Sequence, residues 1–89
     1  MTPDHDQTLD ILYFAWVRER IGISREQVAS SAPTPRALLG ELAARDDRYA
    51  AAFADTGALR VAIDQTLADL DTPLAGAREV AIFPPMTGG

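Results

Sequence analysis

The chain predicts an α+β fold, a sheet covered on one face by a helix. Two segments alternate with the period of a strand: Leu59, Val61 and Ile63 against Arg60, Ala62 and Asp64, then Val80 and Ile82 against Glu79, Ala81 and Phe83. Between the strand candidates at the two ends lies one well-signalled helix, opened by Thr34 with Pro35 at its first position. The order of elements is then β-β-α-β-β-β, with little helix outside the middle.

Taken in order, residues 1–7 read as a disordered leader. Thr8 to Phe14 forms the first strand, with Leu9, Ile11 and Tyr13 on one face and Asp10, Leu12 and Phe14 on the other. Ala15 to Ile21 has helical spacing and halts at Gly22, a residue suited to the left-handed C-cap. Glu26 to Ser30 is a short second strand that pairs back on the first. The main helix runs from Thr34-Pro35 to about Arg45, with Leu38, Leu39, Leu42 and Ala43 as its buried stripe. Asp46 or Asp47 caps a further turn or two ending near Asp55-Thr56-Gly57, with Tyr49 and Phe53 four residues apart on one side. Leu59 to Asp64 is a strand, Thr66-Leu67 follows after a turn at Asp64-Gln65, and Asp71-Thr72-Pro73 interrupts the chain. Arg78 to Phe83 is the last strand. The domain proper is therefore 8–83, with 84–89 as an extended tail. The first and last strands are the strongest candidates for the centre of the sheet.

Strand parity assigns the faces. With Ile11, Val61, Val80 and Ile82 under the helix, Leu12, Phe14, Ala62, Ala81 and Phe83 point away from it. Only Asp10, Arg60, Asp64 and Glu79 make that outer face polar. An uncovered apolar patch rimmed by charge marks a protein contact. The alternatives are that the small helices fold over these residues, or that a one-residue shift of register exchanges the faces.

Composition narrows the function. Eighty-nine residues make one core. The net charge of −5 argues against nucleic acid, which demands clustered cations. All eight basic residues are Arg, so no lysine is present to receive an acyl group from another such chain. Cysteine is absent, which removes disulfides, thiolate metal sites and cysteine nucleophiles. The acidic beginning is unlike a signal peptide and no run approaches roughly 18 apolar residues, so a cytosolic location without a membrane span is the default. Trp16 and Arg18, on the short helix, read as core packing and a solvated cation, or as a partner contact. The lone His5 sits between acidic residues in the leader, and Asp64, Asp69 and Asp71 lack the closing glutamate of a calcium loop. No metal site, nucleophile–base pair or phosphate-cradling glycine spacing emerges, and no cofactor bound by this chain is expected.

What remains is the end: Phe83-Pro84-Pro85-Met86-Thr87-Gly88-Gly89. Prolines favour extended geometry, and glycines without Cβ make a thin thread able to enter a narrow slot. From Pro84 onward it can reach roughly 20 Å at about 3.3 Å per residue. A plain frayed terminus is the other reading. As a chemical group, the Gly89 carboxylate needs activation, most simply as an anhydride with a nucleotide held by a partner. An amine would then give an amide, and sulfide a thiocarboxylate.

In Leu12-Tyr13-Phe14-Ala15-Trp16-Val17-Arg18-Glu19, Thr34-Pro35-Arg36-Ala37-Leu38, Val61-Ala62-Ile63-Asp64-Gln65 and, most specifically, Glu79 through Gly89, the chain resembles the small, sulfur-carrying subunits of molybdopterin synthase. These are ubiquitin-like proteins of β-grasp fold, and the likeness covers nearly everything from Leu9 to Gly89. The resemblance implies a β-grasp domain, a mixed sheet with one main helix on one face. It implies adenylation of Gly89, preceded by Gly88, by a ubiquitin-activating-type adenylyltransferase that uses ATP, followed by conversion to a thiocarboxylate. The tail would enter the large synthase subunit and give its sulfur to cyclic pyranopterin monophosphate, in an assembly of two small and two large subunits. The chain would thus be a non-catalytic, sulfur-donating subunit. Phe14, Phe83, Pro84, Pro85, Met86 and Thr87 would hold the partner, with Arg18 as a polar contact. Two departures from the family pattern, Gly76-Ala77-Arg78 before the last strand and Asp64 where asparagine is common, lie in turns away from the tail. A sulfur carrier for another pathway and a ubiquitin-like protein modifier are the alternatives.

Overall fold

The computed structural model describes residues 7–85. Five strands form one mixed sheet: β1 (Gln7–Tyr13), β2 (Arg25–Ser30), β3 (Arg60–Ile63), β4 (Thr66–Ala68) and β5 (Glu79–Phe83), in the order β2-β1-β5-β3-β4. β5 is central. It pairs parallel with β1, Ile11 beside Val80 and Tyr13 beside Ile82, and antiparallel with β3, Val61 beside Ile82. Helices α1 (Ala15–Ile21), α2 (Pro35–Arg45) and α3 (Asp47–Ala52) and a 3-10 turn (Thr56–Ala58) complete the chain. This is the β-grasp arrangement the sequence implied, with the first and last strands at the middle of the sheet. β1 begins at Gln7, one residue earlier than expected, because the Gln7 amide donates to Leu74 O (2.8 Å) and its Oε1 accepts from Gly76 N (3.3 Å).

Local chemistry sets the helix ends. Gly22 takes φ 98° and returns its N–H to Arg18 O (2.8 Å), closing α1 in the left-handed conformation that glycine adopts freely. At the other end Ala15 sits at φ 54°, a conformation costing roughly 1–2 kcal/mol for a residue with a Cβ. That bend turns the chain from β1 into α1 immediately after Phe14. Thr34 Oγ1 accepts from Ala37 N and caps α2, and Asp46 caps α3 through Arg48 N.

The core lies between the sheet and the helices. Leu9, Ile11 and Tyr13 of β1, Val61 of β3, and Val80 and Ile82 of β5 are buried against Val17, Ile21, Leu38, Leu42 and Leu74. The predicted parity therefore holds. α3 adds Tyr49, which with Phe53 and Tyr13 makes an aromatic cluster with ring centroids 6.2–6.5 Å apart. The phenols are not orphaned, because Glu26 Oε2 accepts from Tyr13 OH (2.8 Å) and from Tyr49 OH (2.6 Å). One carboxylate oxygen thus ties β1, β2 and α3 together. Burial, then the bond to Glu26, pushes both phenols above the ordinary tyrosine range, Tyr49 to about 12.

A phenol whose pKa is raised on folding stabilises the fold while protonated. This contribution is complete below the unfolded value of about 10 and is lost as pH rises through about 12 for Tyr49. The melting temperature is expected to fall between pH 10 and 12, and less so in Tyr49→Phe, as followed by circular dichroism. At neutral pH, Glu26→Ala is expected to cost on the order of 2–4 kcal/mol, since it strands two buried hydroxyls. Unchanged melts for both variants would show that this network does not hold α3 to the sheet.

Candidate functional site

Among the described residues no helix packs on the outer face of the sheet. Ladder register places Arg25, Leu12, Ala81, Ala62 and Leu67 in one row across all five strands. Ala81, in the middle, is buried between its neighbours, while Leu12 and Ala62 are half-buried and Leu67 is 71% exposed. The next row toward the end of β5 holds Phe83, flanked by Arg60 on β3 and by Phe14 beyond β1. Phe14 N–H donates to Ile82 O (3.2 Å), which fixes this side chain at the margin of the tail strand, 46% exposed. Pro84 and Pro85 continue from Phe83, both half-buried.

In the other direction the face turns acidic. Asp10 stands opposite Glu79 in the parallel ladder, with Arg25 at 3.7 Å from Asp10. Asp64 adds a different kind of contact: its Oδ1 accepts from the N–H groups of Arg78 (2.9 Å) and Glu79 (3.0 Å). The two departures from the family pattern thus meet, the Asp64 carboxylate capping the start of the strand that leads to the tail. Asp64 and Gln65, at φ 50° and φ 70°, make the tight two-residue turn between β3 and β4.

Of the residues singled out in the sequence, Phe14, Phe83, Pro84 and Pro85 are gathered at one corner of this face. Arg18 is exposed on α1, a turn from Phe14. Met86, Thr87, Gly88 and Gly89 lie outside the described residues. Trp16 is half-buried against the core with the Arg20 guanidinium 5.0 Å from its ring centroid, so core packing and a cation–π contact account for it. Leu67 was not singled out. The signal was available: a two-residue turn at Asp64-Gln65 forces Ala62 opposite Leu67, on the outer face.

A groove of about 1080 Å³ opens between the start of α2 and the β3–β4 hairpin, reaching Leu67 at the sheet edge. Leu59, Val61 and Ile63 floor it, and the exposed Arg36–Asp71 pair (2.9 Å) stands at its rim. Among the described residues no set of acidic or histidine side chains is placed to hold a metal, and no helix is long and apolar enough to cross a membrane. The distinctive surface is the apolar face beside the tail strand.

This domain is a small ubiquitin-like protein whose last strand leads into a Gly-Gly tail. The model of the ThiS family matches residues 11–89. The molybdopterin synthase sulfur carrier subunit of Escherichia coli is 47% identical over 81 residues, covering 91% of this chain and 99% of that protein. Its namesake in Haemophilus influenzae is 41% identical with the same coverage. Among solved structures, SAMP1 from Haloferax volcanii superposes with a TM-score of 0.71 at 25% identity, over 93% of this chain and all of that one. The chain belongs to the ThiS family.

The two faces of the sheet are expected to respond oppositely to substitution. Leu67→Asp should change stability by no more than about 0.5 kcal/mol, whereas Ile82→Ala, on the buried face, should cost about 2–5 kcal/mol. Denaturant melts check both; comparable losses would place Leu67 in the core.

Proposed function

We propose that this chain is the sulfur-carrying subunit of a molybdopterin synthase, working in the cytosol. The carboxylate of Gly89 is adenylated by a ubiquitin-activating-type enzyme that binds ATP, is converted to a thiocarboxylate, and gives its sulfur to cyclic pyranopterin monophosphate held in the large subunit. The chain supplies no catalytic side chain and binds neither ATP nor pterin itself. Two such chains join two large subunits.

One observation carries the reading. The strand that ends at Phe83 and runs on into Pro84-Pro85 is the central strand of the sheet, and among the described residues no helix covers the apolar face beside its end. A tail launched from the best-anchored strand transmits the pose of the docked domain to its terminal atoms. The uncovered face, with Phe14, Phe83 and Leu67, gives a partner something to grip. The names of the bacterial relatives, which match over nearly their whole length, support molybdopterin as the destination.

The likeness to SAMP1, a small archaeal modifier protein, favours a second reading in which the same terminus forms amide bonds with other proteins. A modifier generates conjugates of higher mass in cell extracts, where a carrier does not. For the carrier, deleting Gly89 or extending the chain past it is expected to abolish molybdoenzyme activity in a complemented null strain, with the circular dichroism spectrum unchanged. A C-terminally extended protein that restores full activity would contradict the proposal.

A further inference from the structure

The open face of the sheet is banded along its strands. One row is acidic: Asp10 stands beside Glu79 in the β1–β5 ladder, and Asp64 N–H donates to Glu79 O (2.9 Å), which brings the hairpin carboxylate to the same level. Two residues further along β5 comes the apolar row of Leu12, Ala81, Ala62 and Leu67. Two residues beyond that, Phe83 has the exposed Arg60 as its cross-strand partner on β3. The Arg60 Nη1 donates to Leu59 O (2.9 Å) and Gly57 O (3.3 Å), which holds the guanidinium beside β3. Arg25 reaches back from the apolar row to Asp10 (3.7 Å), whereas Glu79 and Asp64 pair with no arginine among the described residues.

These rows complement themselves under one operation. A two-fold axis lying across the strands at the level of Ala81 sets a second copy face to face with the first, its strands antiparallel. The apolar row then meets itself, Leu67 against Leu67, and Arg60 of each copy comes over the Glu79 and Asp64 end of the other. An axis along the strands would instead lay like charge on like charge. Sheets pack face to face about 10 Å apart with strand directions within about 30°, a gap that an arginine and a facing carboxylate bridge between them.

We infer that this face takes a second copy of the chain, in a two-fold symmetric dimer closed by two Arg60–Glu79 pairs around the apolar row. Five strands about 4.8 Å apart and three rows about 6.8 Å apart outline roughly 500 Å² per copy. The pair would bury about 1,000 Å² in total, at the small end where contacts are transient. The net charge of −5 on each chain also keeps the association weak. A weak dimer shields the apolar row from indiscriminate contacts, and its dissociation opens the face to the partner proposed above. Dimerisation itself needs no sulfur chemistry, so its failure would leave that reading untouched.

The test follows the full chain by analytical ultracentrifugation over a concentration series reaching the millimolar range, with circular dichroism to check the fold of each variant. Wild type is expected to pass reversibly from monomer to dimer. Arg60→Glu and Glu79→Arg each set like charges opposite one another at both pairs, and each alone should weaken the dimer by at least about tenfold. Mixed in equal amounts, the two variants should dimerise with each other about as tightly as wild type, because both pairs of the mixed dimer are again opposite in sign. Leu67→Asp, expected above to leave the fold intact, should lose the dimer too and decides the matter if a charge reversal disturbs folding. A wild-type chain that stays monomeric throughout would overturn the inference. So would charge reversals that dimerise as wild type does, a mixture of folded variants that fails to recover the dimer, or an undiminished dimer in Leu67→Asp.

Discussion

The parallel ladder between β1 and β5 joins opposite ends of the chain at the middle of the sheet, with Ile11 beside Val80 and Tyr13 beside Ile82. Parallel neighbours need a long crossover, and here everything from α1 to β4 lies between them in sequence. The register of that one ladder settles which side chains of both strands face the helices. It buries Leu9, Ile11, Tyr13, Val80 and Ile82 together and leaves Leu12 and Phe83 on the other side. It also fixes where the tail starts, since Phe83 is held between β3 and the end of β1. A slip by one residue would exchange the faces and turn Phe83 into the core.

Two devices guard that register at its ends. At the start of β5, Asp64 Oδ1 accepts two successive backbone N–H groups, and Asp64 N–H donates to Glu79 O (2.9 Å). At the other end Phe14 N–H extends the ladder to Ile82 O, and the left-handed Ala15 then turns the chain away into α1. The strain accepted at Ala15 lies next to the exposed Phe14, where backbone outliers gather at functional positions. The result is a strand clamped at both ends, with an apolar surface on its free side and the Gly-Gly sequence beyond.

Much of this was legible before any coordinates. The bounds of α1 and its closure at Gly22, the Thr34-Pro35 start of α2, and the alternation in β1, β3 and β5 rest on local signals that a sequence carries openly. The division of the sheet into a buried and an open face, with Leu12, Phe14 and Phe83 on the open one, followed from parity, and the family likeness added Pro84 and Pro85 to that corner. What stayed hidden depends on contacts distant in sequence. Nothing near Glu26 announces that it receives hydroxyls from both Tyr13 and Tyr49, and nothing near Asp64 announces that it caps residues 78 and 79. Leu67 was overlooked because a three-residue strand has too little alternation to declare its outward side; only the hairpin register does. The chemistry assigned to Gly88 and Gly89 comes from their sequence and their relatives, not from a described geometry.

In the proposed function the reacting group is the terminal carboxylate, and the folded domain serves to present it. The most direct measurement is the mass of the intact protein after incubation with ATP, a sulfur donor and the cognate activating enzyme. One oxygen is expected to be exchanged for sulfur, fragmentation to place the change at Gly89, and the mass to revert when the large subunit and its pterin substrate are added. A protein that retains its original mass while a control carrier is charged by the same enzyme would contradict the proposed function.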